Sequence, residues 1–569
     1  MNRKIKKYFN GLKRKKYTEI DPDEIFLDSS NLPEFDTHQF EGRIEKSISK
    51  TSLFFLGFFF LIIGFVYVSK VWVLQIKKGD EYALMSEKNR LRSTLVFAER
   101  GIIYDRNKKE LAWNVPGEDV NFSVRKYIDK PGFAHVLGYV KYPSKDIYGF
   151  YYRPDFEGFD GIEKFYNDIL KGTHGSKIVE VNALGKVQSE NVISPTKEGT
   201  SITLSIDSDV QSKFYEKIKE VAHDLDFVGG AGVIMDIESG ELIASVSYPE
   251  YNSQVLTDGS DRSLINSYVN SKSRIFLNRV SSGTYTPGSV VKTVMAMGVL
   301  NEGVIDPSTK ILSTGSISLP NPYDPTKFST FKDWKAHGWV DLRTAISVSS
   351  NVYFYEVGGG YKEQKGIGIA NIEKYAKLFG LGEKTGIDLP GEVSKPIPSP
   401  AWKAVNFPND PWRVGDTYNT VIGQYGFQVT PIQMARAVTA IANYGKVFQP
   451  SLLLGDSFST AKIVRTLDIP KKYFDIVHEG MRQTVVSGSA PGLRLDKVAV
   501  AAKTGTAQVG VGKQFINSWV IGFFPYDKPK YAFALLMEEG DLAGGSASVR
   551  VMRQMLDWMS VYTPQYTRE

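Results

Sequence analysis

The sequence predicts an α+β protein in three parts: a single N-terminal transmembrane helix, an extended mixed α/β domain, and a C-terminal domain with helices flanking an antiparallel sheet. Three observations support this. An apolar run of membrane length occupies residues 53–76, short alternating strands and charged helical stretches fill residues 77–227, and a strand hairpin, a helical block and three further strand-like runs follow from residue 228. A chain of 569 residues also exceeds what one hydrophobic core usually organises.

Residues 1–52 carry many charges and turn formers without sustained periodicity, which predicts a mostly disordered cytoplasmic tail. Eight basic residues precede the first acidic one, so the formal charge of +6 leaves −2 for the rest of the chain. A near-neutral body lacks the clustered Lys and Arg that nucleic-acid binding requires. The basic tail suits either anionic lipid or solvent. The absence of cysteine excludes disulfides, thiolate metal sites and cysteine nucleophiles.

The apolar run at residues 53–76 reads LFFLGFFFLIIGFVYVSKVWVLQI. It is long enough to cross a hydrocarbon layer of about 30 Å. The 52 residues before it are more than a cleavable signal peptide carries, so a retained membrane anchor is predicted. Because the run has no polar face, a buried core helix is disfavoured. Basic residues flank both ends, and only the far N-terminal cluster favours a cytoplasmic N-terminus.

Two regions follow the anchor. Residues 77–227 show no catalytic constellation and are predicted to form a structural or docking domain. From residue 231, AGVIMDIESGELIASVS alternates apolar residues around a Glu-Ser-Gly turn, which predicts a hairpin that opens an antiparallel sheet. Near the C-terminus, VAVAAKTGTAQ, NSWVIGFFP and YAFALLME are typical of strands. Strand pair, helices and strands in this order indicate helices packed on one sheet.

Three short signatures fall in order within the C-terminal region: Ser289-Val-Val-Lys292, Ser349-Ser350-Asn351 and Lys503-Thr504-Gly505. Each is weak alone, because chance copies occur elsewhere. Ser-x-x-Lys also begins at Ser47, Ser194 and Ser459, Ser-Ser-Asn recurs at Ser29, and a second Lys-Thr-Gly begins at Lys384. Order, spacing and local context must therefore carry the interpretation.

The first signature has the setting of an activated nucleophile. Thr286 is predicted to cap a helix with Pro287 at its first position, so that Ser289 lies in the first turn, where developing negative charge is favoured. Lys292 shares the same helix face. A serine hydroxyl needs a base, and Lys292 can serve if burial and a second cation, Lys503, lower its pKa. We therefore predict that Ser289 is the nucleophile and Lys292 its base.

The second signature is predicted to mark a junction between helices beside the first. There Ser349 could relay a proton between Lys292 and a leaving group, while Asn351 orients a substrate amide.

For the third signature, the strand-like VAVAA before Lys503 favours this copy over Lys384, which precedes a turn-rich loop. Thr504, Gly505 and Thr506 are then predicted to bind substrate. Thr504 or Thr506 together with Lys503 would hold a substrate carboxylate. The backbone N–H groups of Ser289 and Thr506 would form an oxyanion hole.

His337 is one of six histidines and a possible base. A lone histidine without a partner at triad or ligand spacing is more often structural, which is the interpretation favoured here. Asp324 and Asp333 together with His337 do not form a close-spaced ligand set, so neither a metal nor a cofactor is predicted.

The three signatures resemble those of class B penicillin-binding proteins, the D,D-transpeptidases that cross-link bacterial peptidoglycan. The resemblance runs from about residue 50 to the end of the chain. RGIIYDR at 100–106 and GFDGIEKFYNDILKGTHG at 158–175 are similar to membrane-proximal and pedestal segments of this class. HVLGYV, KTGIDLPGE, PSPAWK and WRVGDTYNTVIGQYGFQVTP look most like the elongation-specific penicillin-binding protein 2 type. Ser350 stands where relatives often have Cys, which weakens any inherited metal site, and Asn351 stands where many have Asp.

The resemblance implies a pedestal domain at 77–227 and a penicillin-binding transpeptidase domain at 228–569. It implies that Ser289 attacks the penultimate D-Ala carbonyl of a stem peptide, that terminal D-Ala leaves, and that the acyl group passes to a neighbouring amine. Beta-lactams would acylate the same serine. It further implies a RodA-like membrane glycosyltransferase and a MreC-like scaffold as partners, and a single-pass location in the bacterial cytoplasmic membrane with the catalytic domain outside the cytoplasm.

Other interpretations stay open. A D,D-carboxypeptidase or a beta-lactamase uses the same acyl-serine but passes it to water. A membrane-bound beta-lactam sensor or an inactive scaffold would have no turnover at all. Within the family, a division-specific transpeptidase is the alternative to the elongation enzyme.

Overall fold

The computed structural model describes residues 50–117, 123–145, 151–153, 156–181, 187–321, 324–455 and 462–568. These residues belong to two compact units, one that ends at residue 91 and one that runs from residue 92 onward. The predicted cytoplasmic tail lies almost wholly outside the described residues.

The first unit is helical. It contains α1 (Lys50–Trp72), a π-helical turn (Val73–Lys77) and α2 (Gly79–Arg90). The helical stretch Lys50–Lys77 is long and apolar enough to cross a membrane, and its apolar window has no buried residue. Exposed apolar side chains have a lower free energy in lipid than in water, so this helix favours a membrane environment. The predicted run at residues 53–76 lies inside this helix.

In the middle of the chain, the described residues fold into small sheets with three short helices. Its strands are β1 (Leu91–Val96), β2 (Ile103–Tyr104), β3 (Glu110–Pro116), β4 (Ser123–Tyr127), β5 (Val140–Lys141), β6 (Ser144–Lys145), β7 (Tyr151–Arg153), β8 (Glu157–Gly158), β9 (Gly175–Val181), β10 (Val187–Ser194) and β11 (Ile202–Thr203). Its helices are α3 (Ala134–Leu137), α4 (Gly161–Phe165) and α5 (Asn167–Leu170). The larger sheets have the orders β1-β9-β10 and β11-β2-β3-β4.

A buried ionic cluster joins distant segments of this middle region. Glu163 on α4 accepts hydrogen bonds from Arg100 Nε at 2.6 Å and Arg125 Nε at 2.8 Å, and all three side chains are at most 2% exposed. Burial alone would raise the pKa of Glu163, but the two guanidinium groups outweigh it and hold the pKa below its usual value. The carboxylate therefore stays charged and ties three segments together.

The C-terminal region is the largest. Its helices are α6 (Ser208–Asp224), α7 (Ser253–Asp258), α8 (Arg262–Val269), α9 (Lys292–Asn301), α10 (Leu342–Ser347), α11 (Asn351–Gly359), α12 (Ile369–Leu378), α13 (Pro400–Asn406), α14 (Val414–Val421), α15 (Pro431–Ala442), α16 (Lys471–Val486) and α17 (Ala547–Tyr562). Its strands are β12 (Gly229–Asp236), β13 (Leu242–Tyr248), β14 (Ile311–Ser313), β15 (Ser316–Asn321), β16 (Asp324–Lys332), β17 (Gly338–Val340), β18 (Lys446–Phe448), β19 (Ile463–Thr466), β20 (Ala501–Val509), β21 (Phe515–Phe524) and β22 (Tyr531–Gly540).

A five-stranded antiparallel sheet of order β13-β12-β22-β21-β20 forms the centre of this region. The predicted hairpin is β12 and β13, and the three predicted strands near the C-terminus are β20 to β22, so both predictions are confirmed. Helices pack on both faces, as the predicted fold class requires. Strand β20 lies at the edge of the sheet.

Alternation along the strands divides the core into two layers. Ile234 on β12 faces a cluster that includes Phe214 of α6 and Met552 of α17, whereas Val233 and Met235 face the cluster that contains α9 and α15. Successive side chains of a strand point to opposite faces of the sheet, so both faces of this sheet are buried. Helix α6 therefore packs on the C-terminal sheet, although the predicted boundary at residue 227 assigned it to the preceding region.

Replacing Glu163 with alanine should lower the free energy of unfolding by about 3 to 5 kcal/mol, because it leaves two buried guanidinium groups without a counter-charge. Urea denaturation of the detergent-solubilised full chain measures this. The matched control is Glu110→Gln, since Glu110 is exposed at the start of β3. Equal unfolding midpoints for the two variants would contradict the role of the cluster.

Candidate active site

The predicted nucleophile lies on a tight turn before a buried helix. Residues Gly288–Val291 form a 3₁₀ turn, and the α-helix α9 starts at Lys292. The predicted cap is wrong: Pro287 occupies the cap position and no side chain caps the turn. Gly288 has a φ of +58°, and its N–H donates to the Gly423 carbonyl at 3.0 Å, so the chain enters the helix through this turn instead. Ser289 thus precedes α9 and remains half-buried.

Two lysines from distant segments meet at Ser349. Lys292 Nζ donates to the Ser349 carbonyl at 2.8 Å and to Asn351 Oδ1 at 2.6 Å. Lys503 Nζ donates to Ser349 Oγ at 2.8 Å and to the Thr504 carbonyl at 2.8 Å. Both lysines are fully buried. The hydrogen bonds of Lys292 therefore go to the second signature, and the Ser349 side chain lies between the two amines.

Ser349 has a backbone conformation that serine rarely adopts. It lies at the junction of α10 and α11, as predicted, with a φ of +60°. A non-glycine residue in the left-handed region costs on the order of 1 to 3 kcal/mol, which surrounding contacts must offset. Here the Ser350 N–H donates to the Ala345 carbonyl at 3.0 Å, and Lys292 and Lys503 engage the Ser349 carbonyl and hydroxyl. The strained residue is thus fixed by the groups that it joins.

Burial sets the protonation of both amines. Burial lowers the pKa of Lys292 to about 7, and the nearby Asp333 carboxylate opposes that shift. Burial, together with the charge of Lys292, holds the pKa of Lys503 well below its usual value. Burial and Lys503 together were expected to lower the pKa of Lys292. Burial alone does so, and the repulsion between the lysines lowers the pKa of Lys503 instead. A neutral amine is therefore available near neutral pH.

Asp333 caps the start of α11. Its carboxylate accepts from the Ser350 hydroxyl at 2.8 Å and from the Val352 N–H at 3.0 Å. Burial opposes ionisation, but hydrogen bonds from Val352, Asn351 and Ser350 hold the pKa of Asp333 below its usual value. Sequence reasoning considered Asp333 only as a metal ligand and missed this cap. Asp333 lies far from α11 in sequence, so no local pattern could show it.

His337 lies beside this cap, with Nε2 3.6 Å from Asp333 Oδ1. Burial lowers the pKa of His337 although Asp333 opposes the shift. His337 is not among the residues that line the pocket described below, in keeping with the structural interpretation.

The third signature occupies the edge strand β20 beside the nucleophile turn. A Cβ on Gly505 would lie 2.8 Å from the Pro287 carbonyl oxygen and 3.1 Å from the Val290 nitrogen, so only glycine permits this approach. Trp519 on β21 donates its indole N–H to the Thr286 carbonyl at 3.0 Å and fixes the other side of the turn. Thr504 shares a 2.6 Å hydrogen bond between hydroxyls with Ser489.

The three signatures line one pocket of about 740 Å³. Among the predicted residues, Ser289, Ser349, Asn351, Thr504, Gly505 and Thr506 line it, and Lys292 and Lys503 lie buried against Ser349. Further lining residues come from three segments that sequence reasoning did not single out: Trp334, Ser489, Pro491, Gly492, Gly545, Ser546, Val549, Arg550 and Arg553. For the α17 segment, the sequence does offer a signal: Arg550 and Arg553 are three residues apart and therefore share one helix face.

The rejected copies of the signatures lie elsewhere. Lys384 is exposed in a loop where Thr385 instead bonds Glu392, and it does not line the pocket. Ser194 ends strand β10 on an exposed surface. Ser29, Ser47 and Ser459 lie outside the described residues.

Family models account for most of the described chain. The model of the penicillin binding protein transpeptidase domain matches residues 230–557, which contain all three signatures. The chain belongs to the penicillin-binding protein transpeptidase family. The penicillin-binding protein dimerisation domain matches residues 121–204. The chain therefore carries the dimerisation domain before the transpeptidase domain, which is the order that the resemblance implied.

Similar proteins place the chain more finely within the penicillin-binding proteins. The peptidoglycan D,D-transpeptidase MrdA of Acinetobacter baumannii is 30% identical over 89% of this chain and 87% of its own length. Penicillin-binding protein 2 of Helicobacter pylori, solved in complex with MreC, is 28% identical with a TM-score of 0.67, covering 83% of this chain and 99% of that one. The Pseudomonas aeruginosa protein, solved with WCK 5153, is 28% identical with a TM-score of 0.69, covering 84% and 98%. These similarities confirm the predicted class B, penicillin-binding protein 2 type.

Replacing Gly505 with alanine should slow acylation by penicillin by about tenfold or more, because the new methyl group forces β20 away from the Ser289 turn. The rate of covalent labelling by a fluorescent penicillin measures this. Gly79→Ala is the control, since nothing lies within 4 Å of a Cβ at that position. An unchanged rate for the Gly505 variant would contradict the close approach.

Proposed function

We propose that this protein is a serine-type D-Ala-D-Ala transpeptidase that cross-links peptidoglycan stem peptides during lateral wall elongation. The observation that carries the proposal is the meeting of Lys292, Lys503 and Ser349 beneath a pocket that Ser289 lines. Family membership and the similarity to MrdA proteins support it. Beta-lactams are expected to acylate the same serine.

Acylation begins with proton transfer from the Ser289 hydroxyl to the neutral amine of Lys292. The serine oxygen attacks the penultimate D-Ala carbonyl, and the oxyanion that forms accepts hydrogen bonds from the N–H groups of Ser289 and Thr506. The C–N bond to terminal D-Ala then breaks. The leaving nitrogen takes a proton that Ser349 relays from Lys292, and an ester on Ser289 remains.

The groups around this ester orient the substrate. The terminal carboxylate lies against Lys503 and the hydroxyls of Thr504 and Thr506, and it favours the protonated form of Lys503. Gly505 keeps the strand close enough for these contacts, and Asn351 hydrogen bonds the substrate amide. In the second half of the reaction a neighbouring peptide's amine loses a proton to Lys292 and attacks the ester carbonyl. The new amide bond forms as the bond to Ser289 Oγ breaks, and Lys292 returns the proton to the serine oxygen.

The helix Lys50–Lys77 is proposed to anchor the enzyme in the bacterial cytoplasmic membrane, with the catalytic domain outside the cytoplasm, where stem peptides lie. The proposed domains are a cytoplasmic tail at 1–52, a transmembrane helix at 53–76, a pedestal at 77–227 whose last helix, α6, packs on the C-terminal sheet, and a transpeptidase domain at 228–569. The complex of a similar protein with MreC supports a MreC-like scaffold on the pedestal. A RodA-like glycosyltransferase in the membrane would supply the glycan strands.

Product analysis tests the proposal. Full-length enzyme with a D-Ala-D-Ala stem peptide and an acceptor amine should release D-Ala and form the cross-linked amide, which mass spectrometry detects. Only hydrolysed peptide would favour a carboxypeptidase, and hydrolysed penicillin a beta-lactamase. Ser289→Ala should abolish both product and penicillin labelling, whereas Ser194→Ala, in a decoy signature, should retain them. Wild-type protein that never labels would favour a sensor or scaffold.

Acylation should depend on pH through Lys292. Because the free base is required and the pKa of Lys292 is about 7, the acylation rate should rise from about pH 6 and level off above about pH 8. Asp333 raises the pKa of Lys292, so Asp333→Asn should move the rise to lower pH. Stopped-flow acylation by penicillin measures both profiles, and a flat wild-type profile would contradict Lys292 as the base.

A further inference from the structure

The active-site pocket extends past the reacting groups along α17. Its wall there consists of Gly545, Ser546, Val549, Arg550 and Arg553. A Cβ on Gly545 would lie 3.8 Å from the hydroxyl of Thr506, so this wall continues directly from the strand that holds the substrate carboxylate. Whatever binds along β20 therefore also meets the first two turns of α17.

This wall presents two guanidinium groups to the pocket, and their carboxylate partners, Asp224 and Asp557, are not among the residues that line it. Among the described residues that line the pocket, Arg550 and Arg553 are the only charged ones, and none carries a carboxylate. A concave site lined by one sign of charge attracts the opposite charge. The site therefore favours a substrate with an anionic group beyond the D-Ala pair.

The two guanidinium groups are held in place. Arg553 Nε donates to Asp557 Oδ2 at 2.7 Å, and its Nη1 donates to the carbonyls of Gly492 at 3.1 Å and Arg494 at 2.9 Å. Arg550 pairs with Asp224 through Nη2. Both side chains are about two-fifths exposed, at 41% and 42%. Because a guanidinium has five N–H donors, each retains donors beyond those that fix it.

We propose that Arg550 and Arg553 form a carboxylate subsite that selects donor stem peptides with a free side-chain carboxylate on the residue before the D-Ala pair. The inference rests on the proposed transpeptidase function. The terminal carboxylate of the peptide belongs to Lys503 and the two threonines, so a second carboxylate must come from elsewhere in the peptide.

The position of β20 indicates that the second carboxylate comes from the peptide residue before the D-Ala pair. Strand β20 is an edge strand, and an extended peptide can add to such an edge with its side chains alternating between the two sides. A peptide whose scissile bond lies at Ser289 then carries its preceding side chain past Thr506 toward α17. Two arginines bind one carboxylate with charge-assisted, bidentate geometry. An amidated side chain would lose the charge and most of this contact.

Two penicillins test the subsite in the detergent-solubilised full chain. One is benzylpenicillin, and the other carries an additional carboxylate on the side-chain α-carbon. The measured quantity is the ratio of their acylation rate constants. We expect Arg550→Gln to lower this ratio about fivefold to tenfold, Arg553→Gln to act likewise, and Arg550→Lys to give an intermediate value. Arg550 is the primary site because Arg553 also supports the Gly492 segment.

Arg494→Gln is the matched control, since Arg494 is an exposed neighbouring arginine whose side chain does not line the pocket. Its ratio should equal that of the wild type. An unchanged ratio in Arg550→Gln and Arg553→Gln, or an equal fall in the control, would overturn the subsite. Failure of benzylpenicillin to label wild-type protein would instead overturn the proposed function, so the two failures are distinguishable.

A second assay uses stem pentapeptides that end in D-Ala-D-Ala and differ only at a free or amidated carboxylate on the third residue. Wild-type enzyme should release D-Ala faster from the free carboxylate, and Arg550→Gln should lose this preference while it still turns over the amide. Equal rates for both peptides in the wild type would overturn the subsite.

Discussion

The contact that joins Lys292 and Lys503 through Ser349 is the constraint on which the rest of the site depends. Burial of two amines in one low-dielectric region disfavours the protonated form of each, and the pKa of both lysines is lowered. Lys292 contacts the Ser349 carbonyl and Lys503 its hydroxyl, so one residue in a left-handed conformation joins the two amines. Burial lowers the pKa of Lys292 to about 7, which is the property that the proposed role of Lys292 as the base for Ser289 requires.

Around Ser349, the fold brings three segments together that are distant in sequence. Helix α9 carries Lys292, the α10–α11 junction carries Ser349, and the edge strand β20 carries Lys503. Gly505 allows β20 to approach the nucleophile turn, Trp519 fixes the turn from the neighbouring strand, and Asp333 caps α11. Each support lies within the protein itself, either as close packing or as a side-chain hydrogen bond, so the geometry of the site is set before any substrate arrives.

Where the signals are local, the sequence predicted the strands of the C-terminal sheet and the three segments that meet in one pocket. Alternating apolar residues gave the strands, and motif order identified the residues that meet at Ser349. It failed where geometry depends on distant contacts. The predicted Thr286 cap is absent, because the Gly288 N–H donates to the Gly423 carbonyl and the chain enters α9 through a 3₁₀ turn. Asp333 and the α17 arginines reach the site only through tertiary packing.

The most direct test of this account is a crystal structure of the protein acylated by penicillin. An ester on Ser289 Oγ is expected, with Lys292 Nζ and the Ser349 hydroxyl within hydrogen-bond distance of the reacting centre and the penicillin carboxylate against Lys503 and Thr504. An acyl group on any other serine would contradict it. So would Ser289 acylated in a pocket from which either lysine points away.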